Sequence, residues 1–258
     1  MTPRTLPAPL RGLVVGAGLV VVWQAVVWAT GVPRYILPGP ISVFRAIGEN
    51  TALLAEHAAI TGAEILLGLL FGAVLGTASA LVMDYAQPVR RWLMPVLVAS
   101  QAIPVFALAP LLVLWLGYGM TSKVAMATLI IYFPVTAAFL DGLRRTEPGW
   151  LDLARTMGAD RRSILFRIRV PAALPALASG LRVAAAVAPI GAVVGEWVGS
   201  AGGLGYLMLN ANARMQTDLM YAALATLTVL GIVLYFTLNR LLARALPWVA
   251  DTGADEPP

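Results

Sequence analysis

The stretch EPGWLDLARTMGADRRSILFRIRVPAALP, residues 147–175, decides how the rest of this chain is interpreted. It carries five arginines between two long apolar blocks, so it cannot lie in the hydrocarbon of a bilayer. Apolar residues in its first half recur at helical spacing, which predicts a short amphipathic helix with one apolar face: Trp150, Leu153, Ala154 and Met157.

The second half of this stretch carries its own start and stop signals. Gly158 is predicted to end the first helix, because glycine readily takes the left-handed conformation of a helix C-terminus. Asp160 is predicted to cap a second helix, and Pro171 to close the unit. The apolar side of that second helix is Ile164, Leu165 and Ile168. Two helices joined at a glycine predict a rigid docking element for a soluble partner.

This pattern resembles the EAA loop of ABC-importer permease subunits, written E-A-A-x3-G-x9-I-x-L-P. The acidic residue is one methylene shorter here, leucine replaces the first alanine, and valine replaces the final leucine. The matching positions are Asp152, Leu153, Ala154, Gly158, Ile168 and Pro171. An amphipathic loop lying on anionic lipid would explain the arginines but not the spacing from glycine to proline. The resemblance implies that the ATPase contacts these positions together with Ala159, Asp160 and Arg161.

The composition is that of a polytopic membrane protein. Of 258 residues, 59% are hydrophobic and only 12% are charged. The absence of cysteine excludes disulfides, thiolate metal sites and cysteine nucleophiles, and we expect no metal site. The net charge of +5 could indicate nucleic acid, but the basic residues sort by membrane side, so we expect no nucleic-acid partner.

The sequence carries no recognisable ATP site. A phosphate-binding P-loop needs a lysine preceded by glycine, whereas the one lysine, Lys123, follows Ser122. We therefore expect a non-catalytic subunit without a cofactor of its own, in which any ATP is bound and hydrolysed by a partner.

Six segments are apolar and long enough to cross a bilayer, which takes about 20 residues. They predict an all-α membrane protein with about six transmembrane helices, at residues 12–30, 59–83, 92–116, 124–143, 172–198 and 219–241. Residues 1–11 are predicted to be a cytoplasmic N-terminus, residues 12–248 a single permease domain with its loop at 147–171, and residues 249–258 a disordered cytoplasmic tail.

Positive charges orient these spans. With the N-terminus inside, only four lie outside: Arg34, Arg45, Arg214 and Lys123. The cytoplasmic set is Arg4, Arg11, Arg90, Arg91, Arg144, Arg145, Arg155, Arg161, Arg162, Arg167, Arg169, Arg182, Arg240 and Arg244. This asymmetry predicts that both termini and the 147–171 loop are cytoplasmic.

The third span has the composition of a substrate pathway. Ser100 and Gln101 place polar groups near its midplane, and Pro104 is one of three prolines that interrupt it. Broken helices occur in membranes where they line a cavity or are buried in protein. The alternative is a kinked helix whose Gln101 bonds a neighbouring helix. Glu196, near the outer end of the fifth span, is either an external gate or an ordinary interface residue.

The resemblance extends over nearly the whole chain, from LPGP at residues 37–40 to the GEWVGS…GLGYLM region. It is closest to the permease branch for nitrate, taurine, aliphatic sulfonates and thiamine-pyrimidine precursors. It implies a type I importer fold in a bacterial inner membrane, a homodimer, an ATPase and an extracytoplasmic binding protein. Among these substrates, the resemblance favours a hydroxymethylpyrimidine precursor. A secondary transporter remains the distant alternative, and only Glu64 and Glu196 could supply its ionisable relay.

Overall fold

The computed structural model describes residues 8–248, and this part of the chain is helical with short connections. The predicted N-terminal segment lies largely outside the described residues, and the predicted disordered tail lies wholly outside them. The helices are α1 (Ala8–Thr30), α2 (Pro40–Glu49), α3 (Thr51–Tyr85), α4 (Gln87–Ala102), α5 (Val105–Leu116), α6 (Met120–Arg144), α7 (Pro148–Thr156), α8 (Arg161–Ile164), α9 (Val170–Gly199), α10 (Leu204–Ala213) and α11 (Thr217–Ala245).

The core is a three-helix arrangement of α3, α6 and α9. Glycines of α3 allow the closest approach: a Cβ built at Gly72 would lie 2.5 Å from Cγ2 of Ile131, and one at Gly68 would overlap Ala127. On the other side of α6, a Cβ at Gly180 of α9 would lie 2.8 Å from that of Ala138. Small residues allow such contacts where apolar lipid provides no hydrophobic force between helices.

The predicted spans and the observed helices agree in part. Four helical segments are long and apolar enough to cross a membrane: α3, α6, the continuous run Arg161–Gly199, and α11. A fifth crossing would be the pair α4 and α5, which are bent relative to each other by 109°. Helix α1 contributes a shorter apolar segment, Val14–Thr30, so its crossing stays a prediction.

The predicted break in the third span is confirmed and falls at one proline. Pro104 has an extended ψ of 122° and precedes the first residue of α5, whereas Pro95 and Pro110 lie inside helices. Proline restricts the preceding residue to extended conformations, and Ile103 accordingly has ψ 121°. The α4–α5 bend therefore places Ser100 and Gln101 beside the end of a helix.

Candidate functional site

The first candidate site is the coupling segment, residues 147–171, whose first helix ends as predicted. Gly158 has φ +80°. Its N–H donates to the carbonyl of Arg155 at 3.0 Å, and the N–H of Ala159 donates to that of Ala154 at 2.9 Å. These two hydrogen bonds form a Schellman motif, which satisfies carbonyls that the helix leaves free.

The predicted cap of the second helix is also present. Oδ1 of Asp160 accepts a hydrogen bond from the N–H of Ser163 at 3.1 Å. Hydrogen bonding from Ser163 lowers the pKa of the Asp160 carboxyl below its ordinary value, because the bond favours the ionised form. The start of α8 is thus fixed by a short-range contact within the coupling segment.

The prediction that Pro171 closes the unit is wrong. Helix α8 passes through one π-helical turn, Leu165–Arg169, directly into α9. Pro171 lies in the first turn of α9, and the N–H of Val170 donates to the carbonyl of Leu165 across that π turn. The wider turn accommodates a residue that has no N–H and whose ring crowds the preceding turn. From Arg161 onward, the coupling segment and α9 are therefore one continuous helical element.

A long-range ion pair fixes this element to the bundle. Nη1 of Arg169 lies 2.7 Å and 2.8 Å from the two carboxylate oxygens of Asp84, near the end of α3. The Asp84 side chain is only 4% exposed. The sequence gives no signal for this pairing, because the two residues are 85 positions apart. The contact ties the π turn to a core helix.

The solvent-exposed surface of the coupling segment carries large apolar side chains. Trp150, Leu153 and Met157 are exposed by 54%, 61% and 79%, whereas Ala154 is buried. They line one side of a groove of about 510 Å³ that also includes Ile168 and Pro171. Asp152 lies on the exposed surface and pairs with Arg155 at 2.8 Å. Large apolar side chains exposed together at one place are typical of a protein-binding surface.

The second candidate site is the midplane cavity, a space of about 310 Å³ between α4, α5 and α6. Its polar lining consists of Ser100, Gln101 and Tyr132. Its apolar lining is Leu93, Val96, Leu97, Ile103, Leu108, Leu129 and Ile130. Pro104 is exposed next to it. Ser100 and Gln101, predicted to line a pathway, thus share a cavity, and the sequence did not indicate Tyr132.

Glu196 lies elsewhere, in a buried group that we call the outer cluster: Thr61, Glu64, Lys123 and Glu196. The Glu196 side chain accepts hydrogen bonds from the hydroxyl of Thr61 at 2.6 Å and from the N–H groups of Gly205 and Tyr206. Thr61 in turn accepts from the N–H of Leu204 at 2.7 Å. Glu196 is 1% exposed and therefore binds the start of α10 instead of facing an open cavity.

Lys123 and Glu64 form the other half of the outer cluster. The Lys123 ammonium lies 3.0 Å from Oε1 of Glu64, and the two side chains are 8% and 0% exposed. Among the described residues, neither carboxylate oxygen of Glu64 receives a well-aligned hydrogen bond. Lys123, counted above among the outer surface charges, is therefore buried. The sequence did contain a signal that Thr61 and Glu64 are buried: they lie on the same face of α3 as Gly68, at spacings of three and four residues.

The family comparison agrees with this architecture. Residues 68–248 match the family model described as "Binding-protein-dependent transport system inner membrane component". A Haemophilus influenzae protein named "Probable ABC transporter permease protein" is 54% identical over 91% of this chain and 96% of its own length. The formylaminopyrimidine transport permease protein ThiX of Halalkalibacterium halodurans is 41% identical over 89% of this chain and 92% of its own length.

Solved structures show the same fold at lower identity. An inward-facing structure of the MetNI methionine ABC transporter superposes with a TM-score of 0.67 over 77% of this chain and 98% of the matched chain, at 20% identity. The family match, residues 68–248, begins within α3 and includes α6, the coupling segment, α9 and α11. The chain therefore belongs to the family of binding-protein-dependent inner-membrane transport components and is a permease of the ABC-importer type.

Proposed function

We propose that this permease forms the substrate pathway of an ATP-driven importer as a homodimer, with each copy coupled to one ATPase through the coupling segment. The observation that carries this proposal is the continuity of α8, the π turn and α9 beneath an exposed apolar surface. A partner bound at that surface would pull directly on α9, which packs against α6 in the core. A rigid connection of this kind would transmit movement of a bound ATPase to α9. It therefore supports a coupling role for this segment more than a role in contacting lipid.

The partners follow from this arrangement. ATP binds to and is hydrolysed by the ATPase, and the permease needs no cofactor of its own. An extracytoplasmic binding protein delivers the solute to the opposite side. The protein lies in a bacterial inner membrane with both termini cytoplasmic, which puts the coupling segment on the ATP side.

The substrate is a small organic solute, leaning to a thiamine-pyrimidine precursor, and the relative that transports formylaminopyrimidine supports this preference. Ser100, Gln101 and Pro104 belong to the pathway, whereas Glu196 positions α10. The same machinery acting on nitrate, taurine or an aliphatic sulfonate is the alternative. A secondary transporter is more remote, because Glu64 and Glu196 are engaged by Lys123 and by Thr61.

Replacement of Gly158 tests the coupling. In Gly158→Val, a β-branched residue must take φ +80°, which costs roughly 1–2 kcal/mol and distorts the turn between α7 and α8. We expect less ATPase to co-purify with the permease and slower uptake by cells. Space is not limiting, since a Cβ at Gly158 meets nothing within 4 Å.

The matched control is Gly149→Val, in the same segment. Gly149 is helical, has no positive φ, and also has open space around its Cβ. This variant should retain assembly. If Gly158→Val assembles with the ATPase and supports uptake as well as the control does, the proposed coupling is wrong.

A further inference from the structure

The midplane cavity lies half way through the helical bundle. Gln101 follows Arg91 by ten residues along α4, which corresponds to about 15 Å of helix, or half of a hydrocarbon core of about 30 Å. Tyr132 is twelve residues from each end of α6, Met120–Arg144. A solute that crosses along α4 and α6 would therefore meet these side chains at the greatest distance from water.

The lining of this cavity carries no formal charge at neutral pH. Its residues are seven aliphatic side chains together with Ser100, Gln101 and Tyr132. Three of the four cationic residues of the same two helices, Arg90, Arg91 and Arg144, line a separate cavity nearer the cytoplasmic end, and the fourth, Lys123, pairs with Glu64 in the outer cluster. An anion held at mid-depth would be desolvated without a counter-charge, which is costly at any low-dielectric site. The lining therefore favours an uncharged ligand.

The polar groups that remain available have a defined arrangement. Nε2 of Gln101 donates to the hydroxyl of Ser100 at 3.3 Å, and that hydroxyl donates to the carbonyl of Leu97 at 2.7 Å. Among the described residues, the amide oxygen of Gln101 has no donor, and one amide N–H stays available. Gln101 thus presents an acceptor beside a donor. The hydroxyl of Tyr132 donates to Ser79 at 2.9 Å, which leaves its oxygen free to accept.

We propose that the midplane cavity binds the transported solute as an uncharged, planar heteroaromatic ring with a donor–acceptor edge of the aminopyrimidine type, and that Gln101 determines this specificity. A primary amide pairs bidentately with an amino group next to a ring nitrogen, as it does with adenine. The aliphatic walls cover the faces of the ring, and the volume lies near the lower end of about 300–1,000 Å³ for small-molecule sites. This inference rests on the proposed importer function, because it assigns the ligand of its pathway.

Two aromatic probes of similar size test the charge preference directly. The full-length permease is reconstituted in lipid nanodiscs, and saturation-transfer NMR is recorded with 4-amino-2-methylpyrimidine and with benzenesulfonate. The aminopyrimidine should receive saturation from the protein, and the anion should receive little above empty nanodiscs. Equal saturation of the two probes, or a stronger effect on the sulfonate, overturns the proposal and indicates lipid-like or anionic occupancy.

Two variants on α4 test the role of Gln101. Gln101→Leu keeps the volume but removes both hydrogen-bonding groups, and it should weaken binding of the aminopyrimidine about tenfold or more. Gln87→Leu changes the other glutamine of α4, which lies at the cytoplasmic end outside this cavity, and should bind like the wild type. Wild-type affinity in Gln101→Leu overturns the assignment of specificity to this residue.

The two proposals fail separately. Co-purification of the ATPase with Gln101→Leu reports on coupling alone, since residue 101 is outside the coupling segment. If the ATPase assembles and the wild-type permease does not distinguish the probes, the ligand assignment is wrong and the importer function stands. If the ATPase never assembles with the wild type, the importer function is wrong.

Discussion

The two ends of α9 are built in opposite ways. At the end where α9 begins, the coupling segment is exposed, and most of its defining contacts join residues within five positions of one another. At the opposite end Glu196 is buried, and it contacts Thr61, which is 135 positions away. The same helix thus continues a locally determined exposed segment at one end and contributes to a buried polar network assembled from α3, α6, α9 and the start of α10 at the other.

This difference separates two physical roles. We expect the coupling segment to keep its shape without a partner, because a Schellman motif and a cap satisfy backbone groups at its turn and an ion pair joins it to α3. The outer cluster depends on the packing of α3, α6 and α9, since it removes charges from water that only distant residues can compensate. We therefore expect substitutions in the outer cluster to affect stability strongly, and those in the coupling segment to affect coupling more than stability.

The largest effect is expected for Lys123→Met. Removal of one partner from a buried ion pair leaves an uncompensated carboxylate at Glu64 and costs roughly 3–5 kcal/mol. The measurement is thermal unfolding of the detergent-solubilised permease. The double variant Lys123→Met/Glu64→Gln should recover most of the loss, because no unpaired charge then remains at that position. If Lys123→Met were as stable as the wild type, the ion pair would not stabilise the fold.

A smaller effect is expected for Gly203→Ala, at the loop that Glu196 holds. Gly203 has φ +107°, and a Cβ there would overlap the carboxylate of Glu196. Backbone strain of about 1–3 kcal/mol is expected from the conformation alone, and the carboxylate must also move. Unfolding temperature should fall, whereas Gly48→Ala, in a helix with open space around the site, should not lower it. Equal stabilities would contradict the close packing of this loop.

The smallest effect is expected at the cap of α8. Because the folded-state pKa of Asp160 is lowered, its ionised cap stabilises the fold above the ordinary aspartate pKa of about 3.9, and this contribution is lost as the pH falls through the folded value. Asp160→Asn keeps a capping group but does not titrate. The stability of the wild type relative to this variant should decline on acidification. A difference that does not depend on pH would argue against an ionised cap.

The coupling segment was largely predictable because its determinants are local. Gly158 and Asp160 act through neighbouring backbone groups, and the apolar residues of α7 follow helical spacing. The prediction for Pro171 was wrong because the effect of a proline depends on its position in the helix that follows. Proline is tolerated in a first helical turn, and here the wider π turn before it leaves room for its ring. The prolines of the third span predicted that its helix is broken, but the sequence did not give the angle between α4 and α5.

By itself, the sequence determined that this protein is an all-α membrane permease and approximately where most of its long apolar helices lie, since hydrophobicity and local turn chemistry are properties of short windows. Only the tertiary structure decided that Lys123 is a buried partner of Glu64, that Glu196 holds α10, that Arg169 pairs with Asp84, and that Tyr132 shares a cavity with Gln101. The reason is physical. The stability of a buried polar group depends on which distant donor or charge the packing of helices brings within about 3 Å, and no short window of sequence contains that distance.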